Sequence, residues 1–223
     1  MKKLLSLILI LTLCLTVLAG CKKDGKDENK DTTVYKYAKM TVKDHGDIIL
    51  QLNATVAPIT VKNFLNLANS GFYDGLTFHR IIENFMIQGG DPNANGTGGV
   101  YDDTGNKVTI FGEFTNNGHK NDISHKRGVI SMARSGNQYY PALAYNTASS
   151  QFFICNADAP HLDGDYAAFG WVIAGMDVVD SITAEGIKHT STAQNGAISN
   201  KADQPTIISV VEIGEDVALS YVK

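Results

Sequence analysis

From residue 38 onward the strongest period in the placement of apolar side chains is two. Short runs of this kind at 38–42, 47–52, 76–82, 85–89, 128–133, 152–154, 169–173 and 206–213 read as β-strands. The first two are joined through His45-Gly46, which reads as a hairpin with Gly supplying a positive φ. Two segments break the period. Pro58 suits a first helical turn, Val61, Phe64, Leu65 and Ala68 follow at helical spacing, and Gly71 fits a C-terminal stop, so an amphipathic helix is predicted there. A shorter helix is predicted over 176–183, with Val178, Val179 and Ile182 on one face. Eight strands with two helices predict an all-β barrel or sandwich in one domain, and no internal repeat is visible.

The chain ahead of this unit has a different pattern. Lys2 and Lys3 precede an apolar run over 4–18, which as a helix spans about 22 Å, short of the ~30 Å hydrocarbon core of a bilayer. A signal peptide over 1–20 is therefore expected, with an uncleaved anchor as the alternative. The string Leu18-Ala19-Gly20-Cys21 resembles the lipobox of bacterial lipoproteins. That resemblance implies cleavage before Cys21 and lipidation of its thiol, and two or three acyl chains suffice for stable anchoring. Residues 22–33 hold four Lys, four acidic residues and no aliphatic or aromatic side chain, the composition of a solvated tether. The folded unit is then expected over 34–223.

Charge and cysteine content narrow the chemistry. The full chain carries 19 Lys plus Arg against 23 Asp plus Glu, and losing Lys2 and Lys3 takes the net charge from -4 to -6. An acidic domain is a poor nucleic-acid binder, and none is expected as a partner. Cys14 leaves with the signal, so Cys155, in an apolar run, is the one thiol left in the domain and reads as a small buried hydrophobe. No dinucleotide fingerprint or P-loop is present, the six His form no close pair, and no two carboxylates stand out among Glu83, Asp91, Asp163 and Asp165. No metal or cofactor is expected.

One stretch does stand out. In Phe78-His79-Arg80-Ile81-Ile82, strand alternation puts Phe78, Arg80 and Ile82 on one face, a charge within an apolar set. If the next strand pairs with it, Met86 and Gln88 bring a thioether and an amide to the same surface. Pattern alone leaves two readings of Arg80 open: a partnered functional cation, or an arginine snorkelling at a barrel rim.

The blocks FHRIIENFMIQGGDPNANGTGG, RGVISMAR, SSQFFI and HLDGDYAAFG, in this order, resemble the signature segments of the cyclophilin-type peptidyl-prolyl isomerases, and the resemblance runs from about residue 38 to 213. It implies a closed eight-stranded antiparallel barrel capped by two α-helices, and an enzyme that rotates X-Pro peptide bonds. By the same resemblance Arg80 is the catalytic residue, and Phe85, Met86 and Phe153 wall the pocket for the proline ring. Gln88 and Gln151 lie near the substrate backbone, Ala133 floors an adjoining groove, and Leu162 adds an apolar contact. His79, Arg134, His161 and Tyr166 complete the substrate-binding set. Two of these depart from the best-known members, which have Trp at the position of His161 and His at that of Tyr166. Arg134 replaces a small polar residue and adds a charge beside the groove.

The expected protein is a monomeric, lipid-anchored isomerase on the outward face of a bacterial membrane, assisting the folding of exported or envelope polypeptides that contain proline. A non-catalytic module that holds proline segments on the same fold is the alternative. Retention of Arg80 favours the enzyme. The loop after Ala133 carries Tyr139, Tyr140 and Tyr145 and is expected either to extend the groove or to fold back as a satellite cluster. Residues 116–121 and 190–204 read as solvated loops without a role.

Overall fold

Side chains that alternate between the two faces build the sheet, and the central strands Val129–Met132 and Phe152–Cys155 are buried on both. The computed structural model describes residues 32–190 and 195–222; the expected signal segment, Cys21 and tether positions 22–31 lie outside the described residues. The strands are β1 (Tyr35–Val42), β2 (Gly46–Asn53), β3 (Phe78–Ile82), β4 (Met86–Gly89), β5 (Val129–Met132), β6 (Phe152–Cys155), β7 (Ala168–Ala174) and β8 (Ile207–Ile213). They form one antiparallel sheet in the order β3-β4-β6-β5-β7-β2-β1-β8. Each of the eight predicted runs is a strand, with ends that agree or shift by up to three residues. The edge strands β3 and β8 meet at an isolated bridge, Thr77 to Thr206, flanked by Phe78 N–H donating to Pro205 O (2.9 Å) and Ile207 N–H to Leu76 O (2.8 Å). The β1–β2 hairpin turns over 43–45 with positive φ at both Asp44 and Gly46, so the expected glycine has an acidic companion in the left-handed region.

Helix α1 (Pro58–Asn69) packs Val61, Phe64, Leu65 and Ala68 into the core and ends before Gly71, whose φ of 71° lets Phe72 N–H return to Leu67 O. Helix α2 (Met176–Gly186) continues three residues beyond the predicted end, and a third helix, α3 (Glu215–Leu219), was not predicted. The inner faces of the strands and the apolar stripes of α1 and α2 share one core, centred on the fully buried Phe64, Tyr73, Phe78, Phe152 and Phe169. Phe152 meets Phe64, Tyr73 and Phe78 edge-on, a favourable aromatic geometry. All of this lies within Thr33–Lys223, one compact unit.

Three long-range polar ties do not show in the sequence. Helix α1 begins after Ala57, which cannot cap it; instead the buried Glu113 carboxylate accepts the N–H of Ile59 (3.0 Å) and of Thr60 (2.8 Å). Asn121, expected in a solvated loop, is buried and its amide donates to the carbonyls of Glu113 and Ala168, both at 2.8 Å. The stretch 195–198, also expected to be a bare loop, lies along β3: Ile81 N–H bonds Gly196 O (2.8 Å), Ile198 N–H bonds His79 O (2.9 Å), and Ile198 is buried.

Candidate active site

The outer face of β3, β4 and β6 carries the chemistry. Phe78 opposes Gly89 and Arg80 opposes Gln88, so β3 advances two residues where β4 advances one. This bulge at His79 overturns the expected face. Phe78 and Ile81 point into the main core, while Arg80 and Ile82 point to the other side. Along β4 and β6 the alternation is regular: Ile87, Phe152 and Ile154 are core, and Met86, Gln88, Phe153 and Cys155 face the Arg80 side.

Arg80 is partnered. Its Nε donates to Asn195 O (2.9 Å), and Nη1 to Gln88 Oε1 (3.2 Å) with Met86 Sδ at 3.9 Å. Among the described residues Nη2 has no acceptor. Burial lowers the guanidinium's pKa, but an arginine stays protonated in proteins. The polar chain continues: Gln88 Nε2 donates to Gln151 Oε1 (3.0 Å), and Gln151 Nε2 to the carbonyls of Gly96 (3.1 Å) and Gly98 (2.9 Å). Asn195 was missed in the sequence; the Asn-Gly pair at 195–196 is a turn signal that marks the stretch lying along β3.

Beside Arg80 lies a cavity of ≈ 110 Å³ lined by Phe85, Met86, Gln88, Ala133, Arg134, Phe153, Leu162 and Tyr166. Cavities of about 150 Å³ hold one benzene, so this one suits a single small ring. Phe153 forms the back wall, edge-on to Tyr166 at 5.8 Å between centroids. A second depression of ≈ 80 Å³ shares Gln88, Ala133 and Arg134 with the first, and adds Gln151, Lys107, Ser135 and Thr147.

Two expected substrate contacts stand elsewhere. His79, on the bulge, is 2% exposed and outside both cavities; among the described residues neither ring nitrogen has a hydrogen-bond partner, and burial lowers its pKa. His161 is exposed at the rim, its ring 5.3 Å from that of Phe85. Arg134 is not a free charge: Nε donates to Asp165 O (2.9 Å) and the guanidinium lies 4.5 Å from the Tyr166 ring centroid and 5.3 Å from that of Tyr145. Cys155 sits behind Met86, fully buried, and burial pushes its thiol up to about 12, so it is no nucleophile.

The wall itself has a support. His125, 1% exposed, stacks on Phe153 (6.0 Å, 17° between planes) and is held by Asp163 Oδ1 at Nδ1 (2.9 Å) and Ser131 Oγ at Nε2 (3.1 Å). With Nδ1–H donating to the carboxylate, neutral His125 accepts the Ser131 hydroxyl proton and both nitrogens are satisfied. Burial lowers the His125 pKa and Asp163 opposes it, with a net fall; His79 falls for the same reason. The unfolded chain therefore binds more protons than the folded one just below the ordinary histidine pKa of about 6.5, so stability declines as pH drops through that value. The urea midpoint is expected to be lower at pH 5.5 than at 7.5, with a smaller difference in His125→Gln. A midpoint that is flat or rises on acidification would contradict this assignment.

A bulged strand presenting an arginine at a ring-sized pocket walled by Phe85, Met86, Phe153 and Leu162, on an eight-stranded antiparallel sheet, fits the site that the family resemblance implies. The family model described as "Cyclophilin type peptidyl-prolyl cis-trans isomerase/CLD" matches residues 37–212, and the chain belongs to this family of peptidyl-prolyl cis-trans isomerases. It is 42% identical over 158 residues to a peptidyl-prolyl cis-trans isomerase of Helicobacter pylori, covering 70% of this chain and 86% of that protein. It is 40% identical over 142 residues to peptidyl-prolyl cis-trans isomerase B of Bacillus subtilis, covering 64% and 87%. The crystal structure of a Cryptosporidium parvum cyclophilin-type isomerase superposes with a TM-score of 0.65 at 28% identity, over 82% of this chain and 99% of that one. A second structure of that isomerase, in the presence of the dipeptide Ala-Pro, superposes with a TM-score of 0.63.

Proposed function

We propose that Arg80 and the cavity beside it carry out the family's reaction on proline-containing chains outside the cytoplasm, and that Cys21 anchors the enzyme to a bacterial membrane through lipid. The observation that carries the reading is the Arg80 guanidinium, fixed through Nε and Nη1, beside a ring-sized cavity that Phe85, Met86, Phe153 and Leu162 wall. Phe85, Met86, Phe153, Leu162 and Tyr166 hold the pyrrolidine ring. Gln88 and Gln151 meet the backbone on either side of it, and Ala133 and Arg134 line the way to the second depression. The sheet acts as a closed barrel, sealed at Thr77 and Thr206, which keeps the outer face rigid.

The chemistry needs no nucleophile. An X-Pro bond is a tertiary amide with a rotation barrier of about 20 kcal/mol, and uncatalysed exchange takes tens of seconds or more. Twisting removes amide resonance, the nitrogen becomes pyramidal, and its lone pair becomes a hydrogen-bond acceptor only near the transition state. A donor aimed at that nitrogen favours the twisted state over both planar ones. A charge-assisted bond contributes about 1.5–3 kcal/mol, or on the order of 10 to 100-fold in rate. The remainder comes from holding the ring in a dry pocket while the preceding carbonyl swings.

Release of proline-limited steps in exported polypeptides is the role that follows from a lipobox, a charged tether and this site on one monomeric chain. In a protease-coupled assay on an Ala-Pro peptide, residues 33–223 are expected to accelerate exchange well above the thermal rate. The full chain, expressed with labelled palmitate, is expected to carry label that Cys21→Ser removes. Exchange at the thermal rate would refute the catalytic reading, and label that persists in Cys21→Ser would refute the anchor.

A further inference from the structure

We propose that the loop between β5 and β6 carries a second polypeptide site, which grips uncharged apolar and aromatic segments flanking the proline. The proposal rests on the reading above, since the occupant is the same chain whose proline sits beside Arg80.

The loop splits the two expected fates of its tyrosines. Tyr145 folds back: its ring packs edge-on against Phe114 (5.1 Å) and beneath the Arg134 guanidinium. Its stem is tied, with Ser135 N–H donating to Thr147 Oγ1 (2.9 Å) and the Thr147 hydroxyl to Ala144 O (2.7 Å). The tip is a built turn, in which Asn137 Oδ1 accepts the N–H of Tyr139 (3.1 Å) and Tyr140 (2.8 Å) and Pro141 opens a short 3-10 turn. That turn holds outward three large side chains within five residues: Tyr139 at 84% exposure, Tyr140 at 68% and Leu143 at 74%. Single exposed apolar residues are ordinary, but three on a constrained tip make a patch.

Continuity and charge name the occupant. The stem residues Ser135 and Thr147 line the second depression together with Gln88, Gln151 and Lys107, whose ammonium donates to Thr97 O, so a chain leaving the proline cavity by that groove runs toward the loop. From Ser135 to Ala157 the sequence has no charged residue, and the cation at its start, Arg134, is covered by aromatic rings. A surface for anionic lipid would place Lys or Arg among the aromatics. Tyrosine rings and a leucine without charge instead suit apolar and aromatic side chains of an extended polypeptide. Holding the flank raises the local concentration of the proline at the cavity, which favours unfolded chains over short peptides.

The test uses residues 33–223 and two dye-labelled 14-residue uncharged peptides with a central Ala-Pro. One has Phe and Leu on both flanks and the other has Ser at those positions; 14 extended residues span about 45 Å, enough to leave the cavity and pass over the loop. The wild type is expected to bind the apolar peptide about ten-fold more tightly than the Ser peptide by anisotropy, as two or three buried apolar contacts allow. In the variant with Tyr139→Ser, Tyr140→Ser and Leu143→Ser the two peptides are expected to bind within about two-fold, with thermal stability close to wild type because the three positions are exposed. Equal binding of both peptides by the wild type, or an undiminished preference in the variant, would overturn the proposal. So would loop-dependent retention on phosphatidylglycerol vesicles, or a loop-dependent dimer in sedimentation, without any peptide preference. Turnover of a blocked proline tetrapeptide is measured alongside: its absence in the wild type would sink the catalytic reading, while the peptide preference still reports on the loop.

Discussion

Replacement of Arg80 by alanine is expected to lower kcat/KM on a proline tetrapeptide by on the order of 10 to 100-fold, the worth of one charge-assisted hydrogen bond made in the transition state. The loss should fall on kcat, with KM changed little, because the cavity walls Phe153, Met86 and Leu162, proposed above to hold the ring, are untouched by the substitution. Lysine is not a substitute. Arg80 uses its planar fork to bond Asn195 O through Nε and Gln88 Oε1 through Nη1, while Nη2 has no acceptor among the described residues. An ammonium on a flexible stem cannot satisfy these directions together. Arg80→Lys should therefore recover less than a tenth of the lost rate, and full recovery would mean that charge alone suffices. Circular dichroism and the urea midpoint check that either variant remains folded.

The largest stability effect is expected at Glu113, which lines neither cavity. Its carboxylate takes the first free N–H groups of α1, a helix whose own N-cap is an alanine, so Glu113→Ala leaves two donors without their acceptor. Thr60 is fully buried and cannot turn to water, and each buried donor left unmade costs about 1–3 kcal/mol. A loss of about 2–4 kcal/mol follows, or roughly 5–15 °C in Tm for a domain of this size. Glu113→Gln, which keeps one acceptor oxygen, should lose about half as much. The next residue, Phe114, packs against the Tyr145 ring and the Arg134 guanidinium, so the alanine variant should also loosen the loop beside the groove. A Tm within 2 °C of wild type would show that α1 does not depend on this cap.

How much was legible in the sequence follows from the range of each interaction. The eight strands and the first helix were visible because alternation and helical spacing are local, and Gly71 and the turn near Gly46 are punctuation that only backbone geometry demands. The Arg80–Gln88 pair was legible too, since two adjacent strands with a short turn bring those positions together. The face of Phe78 was not. A single inserted residue in the pairing, His79, reverses everything before it, and no residue type announces that bulge. Glu113, Asn121 and Asn195 escaped for a different reason. Each is a polar side chain or carbonyl whose partner lies far along the chain or in a strand met edge-on, so composition made the stretches of Asn121 and Asn195 look like solvated loops and gave Glu113 no role at all. The pocket residues were named through the family resemblance; the structure brings Arg80, Phe85, Met86, Gln88, Ala133, Arg134, Phe153, Leu162 and Tyr166 around one cavity, Gln151 into the adjoining one, and leaves His79 and His161 outside both.

The measurement that separates an isomerase from a module that only holds proline is two-dimensional NMR exchange on a proline tetrapeptide with a catalytic amount of residues 33–223. The wild type is expected to give exchange cross-peaks between the cis and trans resonances at mixing times far below the uncatalysed tens of seconds. Arg80→Ala should still shift the peptide resonances on binding, with the cross-peaks sharply reduced. Shifts without cross-peaks in the wild type, or cross-peaks of equal strength in Arg80→Ala, would contradict catalysis by Arg80.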